Sequence, residues 1–263
     1  MKLNRFRRML TFSMASAGIF VAAHSASANT IPFSLASGNF SQDWTTTTLI
    51  TVNDDWSGVP SITGHLGDDN AGSPTAVDPT TIVASGAGTL DVIANQANPN
   101  TQVSGGVAEF EIANPTVALQ GSGTADNPYL LLHMESLGRS NVTIRFNARD
   151  IDGSADNAVQ PIALQYRLGN SGDFTNVPGA VIPDASTGPN LAELVTPMSA
   201  SLPAWSNAAL IQFRIMTTNA AGSDEWIGID DISVTSVAIP EPATFALAGV
   251  ALIGAVAIRR RDR

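Results

Sequence analysis

Between Asn141 and Arg149 the chain alternates without a fault: Val142, Ile144, Phe146 and Ala148 share one parity, Thr143, Arg145, Asn147 and Arg149 the other. Successive side chains of an extended chain point to opposite faces, so this run can bury one face and wet the other only as a β-strand; coiled into a helix it would scatter its apolar groups around the axis. Ile162, Leu164, Tyr166 and Leu168 repeat the pattern against Ala163, Gln165 and Arg167, and Ile211, Phe213 and Ile215 repeat it against Gln212 and Arg214. One dry face and one wet face is the signature of antiparallel sheets. Further strands are expected at Thr48–Val52, Thr80–Ser85, Thr89–Ala94, Val107–Ile112, Tyr129–Met134 and Trp226–Val237, with the alternating runs extending to Pro161–Leu168 and Leu210–Thr217. Clusters of Gly, Asn, Asp and Pro punctuate them, among them Gly121–Pro128, Gly169–Asp173, Pro183–Pro189 and Ala220–Ser223, and the stretch from Asp54 to Pro79 reads as loop. Only Asn190–Leu194 could open a helix, kept short by Pro189 and Pro197. The fold class is all-β: an antiparallel β-sandwich, jelly-roll-like.

The final strand breaks its own rhythm. Ile227 and Ile229 lie on one parity, Ile232 and Val234 on the other. One extra residue at Asp230-Asp231 restores a single buried face, which predicts a β-bulge there.

Both ends of the chain differ from its middle. Lys2, Arg5, Arg7 and Arg8 precede a mostly apolar run from Met9 to Ala23, and Ala26-Ser27-Ala28 fits a small-x-small cleavage site. Residues 1–28 therefore read as a signal peptide handed to the general secretion translocon, and the mature chain starts near Asn29. At the other end Pro240-Glu241-Pro242 precedes a 16-residue apolar run, Ala243–Ile258, in which Thr244 alone is polar, and then Arg259, Arg260 and Arg261. As a helix that run spans about 24 Å, a marginal transmembrane length. The arginines behind it hold to the cytoplasmic side, which leaves Pro240-Glu241-Pro242 at the outer face. Motif, apolar run and arginine cluster in this order resemble the PEP-CTERM sorting signal. That resemblance implies recognition by an exosortase-type membrane protease, cleavage near residues 240–242, transient anchoring in the inner membrane, and a final place at the surface, or in the extracellular matrix, of a Gram-negative-type bacterium.

The intervening domain, residues 29–239, is long enough for a proper core. It carries five arginines, no lysine and 21 acidic residues, a net charge of −16. That balance excludes nucleic acid as a partner and favours divalent cations. Without a cysteine the exported chain uses no disulfide, so its stability comes from the core.

Chemistry-bearing residues are few. Asp150, Asp152 and Asp156 surround a glycine turn, Asp150-Ile-Asp-Gly-Ser-Ala-Asp156, and alternate carboxylates of this kind can converge oxygens on a structural Ca2+. The turn resembles the opening of a calcium loop but lacks the closing bidentate Glu; an ordinary Asx-rich turn explains it equally. A second candidate is Gly222-Ser-Asp-Glu-Trp-Ile-Gly-Ile-Asp-Asp-Ile232, which resembles the closing strand of extracellular jelly-roll modules ending in Ile-Asp-Asp-Ile, where the acidic pair, here Asp230 and Asp231, caps a bulge or helps to hold calcium. Trp44, Trp56, Trp205 and Trp226 are candidates for the core, and any one that is exposed is a platform for a sugar ring. Glu109 and Glu111 share a strand face, the disposition of a paired-carboxylate glycosidase. His65 and His133 find no serine-hydrolase context.

These readings combine into an exported, exosortase-processed surface or matrix protein with a non-catalytic role, structural or glycan-binding, among exopolysaccharide. A polysaccharide-degrading enzyme on a jelly roll and a calcium-dependent adhesin are the alternatives.

Overall fold

The computed structural model describes residues 27–68, 75–86 and 88–240, and regular structure within them is almost wholly strand. In chain order these are β1 (Ser27–Ala28), β2 (Phe33–Ser34), β3 (Phe40–Gln42), β4 (Asp55–Trp56), β5 (Ile62–His65), β6 (Ile93–Gln96), β7 (Gly106–Phe110), β8 (Thr116–Gln120), β9 (Tyr129–Glu135), β10 (Arg139–Asp150), β11 (Ile162–Leu168), β12 (Thr175–Ile182), β13 (Val195–Ser201), β14 (Ile211–Met216) and β15 (Ile227–Ala238). Two sheets stack face to face. One has the order β13-β10-β15-β8-β7-β6, with β3 pairing the far half of β15; the other runs β12-β11-β14-β9-β2, with β5 also on β9. Pairing is antiparallel except for β1 with β4, β2 with β9 and β6 with β7.

The alternating runs place the core. Val142, Ile144, Phe146 and Ala148 of β10 meet Ile162 and Leu164 of β11, Ile211, Phe213 and Ile215 of β14, and Leu130, Leu132 and Met134 of β9 in one buried cluster. On β15 the bulge forms as the parity break requires. Arg145 pairs with Ser233 and Asn147 with Asp230, so β15 spends one residue more than β10 over this step. Asp231 takes φ +50° at the bulge, and Ile227, Ile229, Ile232 and Val234 all enter the same core. Outer strands are guarded: β13 carries Pro197 and β12 carries Pro178, each lacking an N–H with which to recruit another strand.

Several expectations fail for identifiable reasons. Thr48–Val52 and Thr80–Ser85 hold β-forming residues but no strand; each begins as a 3-10 turn, and at the second Asp78 accepts the Thr80 amide at 2.8 Å before Pro79 can extend. Asn190–Leu194 forms no helix, since Asn190 adopts φ +67°. Within Asp54–Pro79, expected to be loop, β4 and β5 form. β3, β8, β12 and β13 were not foreseen. β8 is buried on both faces, so its sequence shows no alternation to detect.

A second packing layer covers the outer face of the β9 sheet. Arg214, fully buried, donates to the Gln165 side chain and to the carbonyls of Ile82 and Ala84, tying residues 82–84 across the strands. His65 and His133 lie in the same layer, His65 stacked on Tyr129 with centroids 4.6 Å apart.

Candidate functional site

Four loops meet at the end of the sandwich where β10 finishes and β15 begins. Asp150, the last residue of β10, pairs across the ladder with Ile227, so the turn before Ile227 lies beside the turn after Asp150. Within the 150–156 turn each carboxylate bonds locally. Asp150 accepts the amides of Asp152 at 3.1 Å and Thr187 at 2.5 Å. Asp152 accepts the Ser154 amide at 3.0 Å, and Asp156 accepts the Ser154 hydroxyl. From the neighbouring turn, Asp224 accepts the Ala220 amide at 2.6 Å, and Glu225 reaches over to accept the Ala158 amide at 2.9 Å.

Five carboxylates thus gather where the sequence pointed to three. None of the five has an arginine or lysine partner among the described residues. Burial, with repulsion from neighbouring carboxylates adding to it, raises the pKa of Asp150, Asp152, Asp224 and Glu225. Glu225 is pushed up to about 8 by desolvation, with Asp150, Asp152 and Asp156 adding to the rise. Asp224 is pushed up to about 6, again by burial first and then by Asp156. Burial also raises Asp150 and Asp152. As donors these groups suit a hard cation in kind. In position they do not yet chelate: among the described residues no three carboxylates or imidazoles converge as ligands.

Beside the carboxylates opens a cleft of about 580 Å³, lined by residues 100, 102–103, 120–123, 154–156, 219 and 222–224. Its walls are amides, hydroxyls, glycines, the carboxylates of Asp156 and Asp224, and the apolar side chains of Val103 and Ala155. Glycine is required at its floor: a Cβ on Gly121 would lie 2.4 Å from Asn219 Cα and 2.7 Å from Asp224 Oδ1. Trp226 supports the floor from beneath, donating through Nε1 to the Gln102 carbonyl at 2.7 Å.

Asp230 and Asp231 do not belong to this group. Asp230 forms an ion pair with Arg149 and accepts Asn114 Nδ2 at 3.3 Å, while Asp231 accepts Asn147 Nδ2 at 2.8 Å. They secure the bulge on the outer face of the sheet, so the metal candidates Asp150, Asp152 and Asp156 and the candidates Asp230 and Asp231 lie in two separate places. Asp224 and Glu225 stand at the start of the candidate segment Gly222–Ile232, whose later pair, Asp230 and Asp231, is the one expected from the sequence to supply ligands.

The remaining candidates disperse. All four tryptophans are buried, none more than 3% exposed, which removes them as open sugar platforms. Glu109 is buried with its Oε2 on the Asn95 amide at 2.7 Å and its Oε1 unpaired, whereas Glu111 is exposed beyond the end of β7; neither lines the cleft beside Asp156 and Asp224. His65 contacts Thr63 Oγ1 at 2.9 Å and His133 contacts Gln212 at 3.1 Å, both out of solvent. Ala28 lies exposed in β1 and Pro240 is exposed after β15; Ala26, Glu241, Pro242, Arg259, Arg260 and Arg261 lie outside the described residues.

Residues 238–261 match the PEP-CTERM protein-sorting motif. The tail therefore marks the protein for processing by exosortase, a membrane protease, and for export toward the cell surface. No curated protein matches the chain. Among solved structures, the K1 cleaved adhesin domain of Lys-gingipain from Porphyromonas gingivalis W83 is similar over 76% of this chain and 98% of its own, at 17% identity and a TM-score of 0.39. A family 35 carbohydrate-binding module from Clostridium thermocellum covers 55% of this chain and 88% of its own, at 14% identity and a TM-score of 0.31. A CBM61 module in complex with β-1,4-galactotriose covers 48% of this chain and 72% of its own, at 13% identity and a TM-score of 0.31. Scores this low transfer no ligand or role to the present chain.

Proposed function

We propose that the exported sandwich is a non-catalytic surface or matrix module that binds a hydroxyl-rich ligand, a glycan, in the cleft beside Asp156 and Asp224. The observation that carries this reading is the lining of that cleft. Side-chain amides of Asn100, Gln102 and Asn219, hydroxyls of Ser122, Ser154 and Ser223, and two carboxylates supply both donors and acceptors at close quarters. Neighbouring hydroxyls of a sugar need that mixture. No aromatic ring lines the cleft among the described residues, so each site is weak on its own, and a polymer gains by engaging many copies at once.

Calcium is the accompanying proposal. Among the described residues the carboxyl groups of Asp150, Asp152, Asp156, Asp224 and Glu225 have no basic partner, and a cation drawn between the two turns would supply one. A thermal melt of the exported protein after exhaustive chelation tests this: saturable stabilisation by calcium over magnesium is expected, and no shift removes the cation from the account.

For the glycan, titration calorimetry against exopolysaccharide fractions should show binding by the wild type. The double variant Ser223→Ala with Asp224→Ala should lose it while keeping the strand-rich circular dichroism spectrum of the wild type. Binding that survives in the variant would place the ligand elsewhere, and the absence of binding to any fraction would leave a structural role.

A further inference from the structure

The two ends of this sandwich differ in charge, and the strand that starts at one finishes at the other. At the cleft end, loops 121–128, 151–160, 183–194 and 217–226 carry Asp126, Asp152, Asp156, Asp184, Glu193, Asp224 and Glu225 and no basic residue. At the opposite end, loops 36–39, 136–138, 169–173, 203–210 and 239–240 carry Asp173 alone. β15 runs from the first end to the second over 12 residues, about 35 Å.

The sorting tail leaves from the second end with no linker. Ala238 is still paired with Arg139, and the Ile239 amide donates to the Gly138 carbonyl at 2.9 Å. Pro240 follows, and the apolar run of the tail begins at Ala243. Three residues of extended chain reach about 10 Å at most. While the apolar run occupies a bilayer, this end of the sandwich cannot stand off from the membrane. Its surface suits that place. Leu137 is 46% exposed, Leu168 50%, Val237 56% and Ile239 42%, and they crown both sheets around the exit point.

We propose that this end is a membrane-facing surface. Before exosortase acts, Leu137, Leu168, Val237 and Ile239 rest in the headgroup region, and the acidic cleft end points about 35 Å outward, away from anionic lipid. This rests on the sorting tail and on the charge segregation, and it holds whatever the cleft binds.

The chain has no cysteine, so single-cysteine labelling is clean. The uncleaved protein carrying its tail would be reconstituted, without protease, in vesicles of phosphatidylethanolamine and phosphatidylglycerol. L137C, L168C and V103C would each bear an environment-sensitive fluorophore. Val103 is the control: it is 87% exposed, equally apolar, and lines the cleft. Labels at positions 137 and 168 are expected to shift to the blue and to be quenched by lipids spin-labelled near the headgroup, and the label at 103 by aqueous iodide alone. Equal iodide quenching at all three positions would overturn the proposal. So would energy transfer between labels at 137 without lipid quenching, which would put a second copy on this surface. A thermal melt of each labelled protein shows that the fold is kept, because all three positions are on the surface.

Discussion

Replacing Glu225 by Gln should make this domain more stable, and the gain should grow with pH. A buried carboxyl whose pKa is raised from 4.5 to about 8 is held neutral by the fold and ionised by the unfolded chain between those values. Its contribution is fully present below pH 4.5 and is lost as pH rises through 8. At about 1.4 kcal/mol per tenfold difference, the ceiling on that loss is on the order of 4–5 kcal/mol above pH 8. Asp150, Asp152 and Asp156 share the repulsion and water reaches the neighbouring cleft, so a single substitution recovers roughly half, about 2 kcal/mol near pH 9. Glutamine reproduces the protonated form: its oxygen can still accept the Ala158 amide, and its NH2 faces carboxylates that welcome a donor. Urea denaturation of the exported wild type and of Glu225→Gln should give coincident midpoints near pH 5 and diverging ones toward pH 9, with the wild type declining faster. Parallel declines, or a variant weaker than the wild type at pH 9, would refute the reasoning. Calcium offers an internal check, since it should stabilise the wild type at high pH and do less for the variant.

Acid should act on a different part of the molecule. Burial depresses His65 and His133 to about 4, with the Arg167 charge adding to it, so their contribution is complete above pH 6.5 and is lost as pH falls toward 4; His133→Gln should lower the acid midpoint followed by circular dichroism. At the bulge, Asp231→Val should cost about 1–2 kcal/mol in a denaturation experiment because φ is +50°, while Asp231→Gly should be nearly neutral. Trp44→Phe leaves the buried Ile229 carbonyl without the indole donor now 2.8 Å away and should cost about 1–3 kcal/mol in the same assay. Gly121→Ala should abolish ligand binding in calorimetry, since the added methyl meets Asn219 and Asp224 at the cleft floor.

What the sequence revealed, and what it hid, follows from how locally each feature is encoded. β10, β11 and β14 have one wet face, so their alternation is written residue by residue, and the bulge in β15 is written as a parity break between Ile229 and Ile232. β8 is dry on both sides and β12 is interrupted by Pro178-Gly179, so neither carries a period to find. The sorting tail was legible because its parts are contiguous. The cleft was legible only in fragments. Asp150, Asp152 and Asp156 stand in one turn, but Asp224 and Glu225 join them through the pairing of Asp150 with Ile227, a contact 77 positions apart that no local pattern announces. Asp230 and Asp231, nearer to a family-like motif, drew attention that the preceding acidic pair deserved.

Two of the buried acidic places, the bulge and the cleft, are built differently, and the contrast bears on the proposed function. At the bulge, Asp230 is 1% exposed and Arg149 on the neighbouring strand pairs with it; Asn114 and Asn147 complete the bonding of the Asp230-Asp231 pair. At the cleft, Glu225 is 2% exposed and Asp152 5%, yet among the described residues no arginine pairs with them, although this same sequence places one, 81 residues from Asp230 in the chain, against that carboxylate. An uncompensated buried carboxylate costs stability, and one arginine would relieve it. On the proposed reading, a cation or ligand bound at the cleft is what would supply the positive charge that the fold itself provides at the bulge. On that argument Glu225→Gln separates two quantities: stability should rise and ligand or calcium affinity should fall, and a variant in which both rise would show that the acidic cluster serves neither.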